Sequence, residues 1–245
     1  MRHFLLVLVA AALVVGLTGA AAFAEKQLDV APVETLEATP VTMGPLGYEV
    51  TCQVGNINPA AWALFNFLGP PEAYKLAFDP MATCTVCQVG FMANKVHVYL
   101  QTKAACTVVL SVDVEEAVYP TPGCTAPGPV MCSSVLYTVN LPSAGLWNVG
   151  IPITCPCLTM GKKYLLSAHF QSMTCTAANI GLITDAGPAA LCVNWNDYGT
   201  GWYDLLAAFP TWPGQLKFFA DAECCTPPVP AEGKTWGAIK EIYND

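Results

Sequence analysis

The sequence predicts an all-β fold, a disulfide-rich antiparallel β-sandwich of jelly-roll-like type, and three observations carry that prediction. From Gly47 onward, short apolar runs alternate with polar residues at period two, the mark of strands buried on one face. Pro, Gly and Cys interrupt these runs and helical periodicity is almost absent, as short strands joined by turns require. Twelve cysteines all lie downstream of an N-terminal secretory pattern, and an oxidising compartment turns cysteines into cross-links.

Each strand is legible from its alternation. Val96, Val98 and Leu100 share one face, opposite His97, Tyr99 and Gln101. Val108, Leu110, Val112 and Val114 alternate with Thr107, Ser111, Asp113 and Glu115. Val135, Tyr137, Val139 and Leu141 form a third face, and residues 146–153 follow across a Pro-Ser-Ala-Gly turn. Tyr164, Leu166, Ala168 and Phe170 oppose Lys163, Ser167 and His169. Residues 180–184, 192–196, 202–206 and 216–220 complete a set of roughly eight to ten strands, the number a sandwich needs. Residues 59–68 fit a strand or a short helix, and periodicity does not decide.

The ends divide the chain further. A basic start (Arg2, His3), an apolar run over 4–17 and the small-residue site Ala22-Phe23-Ala24 describe a cleavable signal peptide over 1–24. Residues 25–45 read as a linker, 46–226 as the stapled sandwich domain, and 227–245 as a Pro-rich linker with a short C-terminal segment. In that segment Trp236, Ile239 and Tyr243 fall on one face of a short helix and are candidates for an attachment tail. A helix this short holds only when docked. No later run is long and apolar enough to insert in a membrane after cleavage. The expected location is secreted or at the cell surface.

Charge excludes several partners. Lys and Arg number 10 against 18 Asp and Glu, and Arg2 is the only arginine. Nucleic-acid binding needs clustered lysine and arginine to displace counterions from phosphates, so no nucleic-acid partner is expected. Charged residues make up only 11% of the chain and hydrophobic ones 54%, which leaves apolar surface and self-association open.

Cys84-Thr-Val-Cys87 has CxxC spacing, Cys155-Pro-Cys157 has CxC spacing and Cys224-Cys225 are adjacent. Zinc would need four such thiolates or imidazoles, and redox chemistry a CxxC opening a helix. The secretory setting favours structural disulfides among Cys52, Cys84, Cys87, Cys106, Cys124, Cys132, Cys155, Cys157, Cys175, Cys192, Cys224 and Cys225. Cys124 and Cys132, which bracket a Pro/Gly-rich loop, are the expected local pair. Cys224 and Cys225 should each reach a different partner, because adjacent cysteines pair only with strain.

The most site-like stretch is 194–204, with candidates Trp195, Asn196, Asp197, Tyr198, Trp202 and Tyr203. Aromatic faces stack on sugar rings while amides and carboxylates bind hydroxyls, and Trp and Tyr also dominate protein-binding hot spots. An ordinary hairpin explains the same residues, with Trp195 and Trp202 packed inward around a Tyr198-Gly199-Thr200-Gly201 turn. No cofactor or metal is expected; the carboxylates of Asp113, Glu115, Asp197 and Asp204 leave calcium open, although no EF-hand spacing is present. No GxSxG, HExxH or P-loop occurs, and His97 and His169 read as cross-strand partners.

Residues 112–117, 195–205 and 219–225, with the Trp236-Gly237-Ala238-Ile239-Lys240 tail, resemble a group of uncharacterised secreted cysteine-rich proteins of uncultured bacteria. The resemblance implies a secreted bacterial setting and supplies no site residues. The tail is similar to short C-terminal segments of other exported bacterial proteins but ends in acidic Asp245, where those end in a basic residue. The expected function is non-enzymatic recognition or adhesion at the cell surface, of an extracellular glycan or a cell-surface protein. The alternatives are a structural matrix, envelope or filament component and a hydrolase using paired carboxylates.

Overall fold

The computed structural model describes residues 29–32, 39–42 and 52–225. In chain order the first strands are β1 (Asp29–Pro32), β2 (Thr39–Thr42), β3 (Cys52–Gly55), β4 (Ala60–Phe65), β5 (Glu72–Phe78) and β6 (Gly90–Thr102). Next come β7 (Cys106–Glu116), β8 (Val118–Thr121), β9 (Cys124–Ala126), β10 (Val130–Ser133), β11 (Tyr137–Leu141) and β12 (Gly145–Pro152). The last are β13 (Leu158–Thr159), β14 (Tyr164–Met173), β15 (Ile180–Asp185), β16 (Asn194–Asp197), β17 (Trp202–Asp204) and β18 (Phe218–Cys224). Two single-turn helices, α1 (Pro80–Thr83) and α2 (Leu205–Ala208), lie between strands.

Two sheets pack face to face, as the alternation predicts. The first runs β1-β4-β15-β6-β12-β2, with β18 and β13 also on β6 and β3 on β18. The second runs β10-β7-β14-β5-β16-β17, with β11 also on β7. All described pairings are antiparallel except β12 with β2. Val96, Val98 and Leu100 of β6 and Phe218 and Ala220 of β18 supply the inner face of the first sheet. Val108, Leu110, Val112 and Val114 of β7 and Tyr164, Leu166, Ala168 and Phe170 of β14 meet them from the second. Period two puts every second side chain of these strands between the sheets, and its neighbours outside.

Several expectations are corrected. Residues 59–68, left open between strand and helix, contain β4. Within 25–45 the described residues 29–32 and 39–42 are β1 and β2, which pair with β4 and β12. Val135, expected on an inner face, is 69% exposed because β11 starts only at Tyr137. The strand expected over 202–206 stops at Asp204, whose carboxylate accepts from Ala207 N at 2.7 Å and caps α2. The signal peptide, its cleavage site and the tail residues Trp236, Ile239 and Tyr243 lie outside the described residues.

Every cysteine is in a disulfide, and Cys84 and Cys87 of the CxxC are each bonded to a different partner and not to one another. Cys124 pairs with Cys192 and Cys132 with Cys155, so the expected Cys124–Cys132 pair does not form. The sequence loop between those two cysteines is short, but their strands differ: β9 joins a ribbon with β8, while β10 joins β7. Cys224 reaches Cys87 and Cys225 reaches Cys157, tying the end of β18 to two segments as expected. Cys52–Cys84 and Cys106–Cys175 complete the set.

Candidate functional site

The outward face of the second sheet carries a set of polar side chains, and register explains why they meet. One row across the strands reads Ser111, His169, Ala73, Asp197 and Trp202. The next reads Asp113, Ser167, Lys75, Trp195 and Asp204. Residues directly opposite one another on neighbouring strands point to the same side. The methyl of Ala73 therefore lies between the longer His169 and Asp197, and leaves a cleft between them. The cleft holds about 180 Å³ and is lined by Pro71, Glu72, Ala73, His169, Phe170, Gln171, Asp197 and Gly199.

Behind it lies a buried charge pair. Lys75 is 3% exposed and Glu115 1%; the Lys75 Nζ donates to Glu115 Oε1, as does Ser167 Oγ at 3.1 Å. The same ammonium lies 3.6 Å from the centroid of the Trp202 ring, a cation–π contact that fixes the ring over the sheet. Burial pushes the Lys75 amine down, against the pull of Glu115, Asp113 and Asp197. His169 Nε2 lies 2.8 Å from Asp113 Oδ2. Burial raises the Asp113 carboxyl, but His169, Ser133 and the Lys75 charge outweigh it and hold it below its usual range.

The hairpin from β16 to β17 forms one wall. Asp197 Oδ1 accepts from Gly199 N at 2.7 Å and Gly201 N at 3.1 Å. Both glycines have positive φ, +87° and +117°, which lets their N–H groups turn toward one oxygen. The six sequence candidates do not form one surface. Trp195 is 9% exposed and packs with Ala77, Ala117 and Leu165. Asn196 lies fully buried on the opposite side of β16, donating to Ala73 O at 3.0 Å. Tyr198 and Tyr203 stack with centroids 6.0 Å apart, half-buried beside the hairpin. Asp197 and Trp202 share the face of the cleft with Lys75 and His169, as does Trp195, which is buried there opposite Lys75.

The four carboxylates suggested for calcium separate in the same way. Asp113 and Glu115 are neighbours on one face of β7. Asp197 holds the hairpin turn, and Asp204 accepts from Ala207 N and Cys192 N. Sequence reading missed His169, Lys75 and Glu72 as parts of one site. The available signal was a lysine inside the apolar strand 72–78 and a histidine on the polar face of β14, but their meeting depends on register. The other histidine among the described residues is far from this group in the fold. His97 lies on the outward face of the first sheet, stacked on Phe219 with centroids 4.4 Å apart. Its Nε2 is 2.9 Å from Asp221 Oδ2 and its Nδ1 2.8 Å from Asn148 Oδ1.

No curated protein matches the sequence. Among solved structures, the cysteine protease and lectin-like domains of Cwp84, a surface layer associated protein of Clostridium difficile, align at 10% identity and a TM-score of 0.43. The alignment covers 67% of this chain and 34% of that one, so the chain spans about a third of its length. A likeness at that level carries no argument about fold or function. The chain belongs to the DUF7451 family, a domain of unknown function, whose model matches residues 52–222 and so takes in the whole cleft and all of the first sheet's strands from β3 to the body of β18.

Proposed function

We propose that this is an extracytoplasmic, non-enzymatic recognition protein that binds a surface glycan at the cleft on the second sheet. The observation that carries the reading is the cleft over Ala73, walled by His169, Glu72 and Asp197 beside the half-exposed Trp202. Sugar recognition needs fixed acceptors for hydroxyls and a planar apolar face beside them. Here Asp197 is fixed by the turn, Trp202 by Lys75, and the sheet holds all of them rigid. The volume is below the ~300 Å³ at which deep ligand pockets begin, which suits one sugar unit of a longer chain lying across the surface. Six disulfides support the extracytoplasmic setting, because such bridges persist where the environment oxidises.

A saccharide array probed with the mature chain, followed by calorimetry on the hits, tests this. Asp197→Ala and Trp202→Ala should each weaken binding by about tenfold or more, the loss expected when a central anchor is truncated. Binding unchanged in both folded variants would end the reading. Glu72 and Asp197 also satisfy the minimum for a paired-carboxylate hydrolase, two acids from separate strands on one cleft. Release of reducing ends from an array hit would favour that chemistry over binding alone.

A second reading, assembly of copies into an envelope or matrix, rests on the opposite end of the same sheet. Val130, Val135 and Leu136 are exposed at the β10–β11 edge, and residues 117–161 contain no charged side chain. Sheet edges ordinarily carry charge against self-pairing. A strictly monomeric protein in sedimentation at high concentration would contradict this reading.

A further inference from the structure

We propose that Asp113, Glu115 and His169 form a binding site for a divalent transition-metal ion, which shares His169 with the wall of the cleft and needs no saccharide to form. Each residue offers one ligand atom, and these atoms lie within 4.8 Å of one another. A tetrahedral or octahedral ion with bonds of ~2.0–2.2 Å holds its ligands at separations up to about 4 Å, so small side-chain rotations close the site.

Two further observations point to a ligand here. Glu115 is 1% exposed, and its Oε1 is occupied by Lys75 and Ser167, but its Oε2 is buried with no hydrogen-bond partner. A buried carboxylate oxygen left bare is costly. His169 Nε2 is likewise buried and makes no aligned hydrogen bond, although it lies 2.8 Å from Asp113 Oδ2. An N–H donor would point along that contact. Two ligands of a common ion approach each other at similar distance while both point at a third position.

The donor set selects the class of ion. One imidazole nitrogen with two carboxylates suits zinc, manganese or iron(II), while calcium takes six to eight oxygens and no nitrogen. The site therefore differs from the all-carboxylate calcium set of Asp113, Glu115, Asp197 and Asp204 in both ligands and metal. Lys75 and Ser167 orient Glu115 through Oε1, as hydrogen-bonded partners of ligating carboxylates do elsewhere. Lys75 also offsets one of the two carboxylate charges, so the ion is held by geometry and nitrogen ligation as much as by net charge.

The test uses the tag-free mature chain, stripped with chelator and titrated with Zn²⁺ or Ca²⁺ in the absence of sugar. One zinc ion per chain is expected, with affinity reduced by at least about tenfold in His169→Gln and in Asp113→Asn, and unchanged in His97→Gln. Cobalt(II) substitution should give visible absorption bands that the His169→Gln protein lacks, which serves if Asp113→Asn does not fold. No zinc uptake, uptake undiminished in His169→Gln, or a preference for calcium would each overturn the assignment. Because no saccharide is present, failure here leaves the glycan reading standing, and a blank saccharide array leaves this site standing.

Discussion

Replacing Lys75 by Met separates the energetics of the buried charge pair from everything else on the face. The side chains of Lys75 and Glu115 are 4% and 2% exposed. Methionine keeps most of the apolar stem and deletes the ammonium. Glu115 then stays buried without its ammonium partner, with Ser167 as its remaining hydrogen-bond donor. Removing one partner of a buried ion pair costs about 3–5 kcal/mol, and the lost cation–π contact with Trp202 adds roughly 0.5–2 kcal/mol. The double variant Lys75→Met/Glu115→Leu removes both charges, and such replacements are about neutral. It should therefore recover most of the loss. Urea denaturation at neutral pH, with disulfides intact and chelator present, gives both numbers at constant m. A loss below about 1 kcal/mol for Lys75→Met, or a double variant as weak as the sum of the singles, would refute the pair as a mutually dependent unit.

Two other outcomes follow from the backbone and from the first sheet. Gly55 has φ +109°, and an added Cβ would lie 2.7 Å from Phe218 O, whereas at Gly123, with φ +82°, it would meet nothing within 4 Å. Gly55→Ala should thus cost more than about 1 kcal/mol and clearly more than Gly123→Ala, as read by thermal melts. Lys217 is 5% exposed and donates to Asn56 O at 3.0 Å, and burial, against Asp185, lowers its amine to about 8. The unfolded chain then binds more protons between about pH 8 and pH 10, so stability rises with pH across that window. The rise is bounded by about 3 kcal/mol from the shift, and roughly halved for the solvent that still screens the head group. Above about pH 10, burial of the Tyr74 and Tyr198 hydroxyls works in the opposite direction. A Lys217→Met protein should show a smaller rise, with what remains coming from the likewise lowered Lys75 amine, and chemical denaturation at pH 7 to 10 compares the two.

Alternation made the core readable, because burying one face of a strand fixes every second residue. Val108 to Val114 and Tyr164 to Phe170 needed nothing more. The site was not readable in the same way. His169, Ala73 and Asp197 are far apart in sequence, and a one-residue slip between β14, β5 and β16 would scatter them. Alternation did imply that Trp195 and Asn196 face opposite ways, yet not which side was the core. Asn194 and Asn196 turn inward because buried acceptors and donors meet them, among them Ala73 O and Leu216 N. The disulfides illustrate the same limit, since Cys124 bonds to Cys192 across folded space and not to the cysteine nearest in sequence.

The most direct test of the central claim follows the tryptophan indole N–H resonances of the ¹⁵N-labelled mature chain during titration with a saccharide array hit. The account predicts movement at Trp202, with the amides of Ala73 and Gly199 shifting alongside, while the buried Trp147 and Trp212 stay in place. Shifts centred on His97 and Phe219 of the first sheet, with Trp202 unmoved, would contradict it.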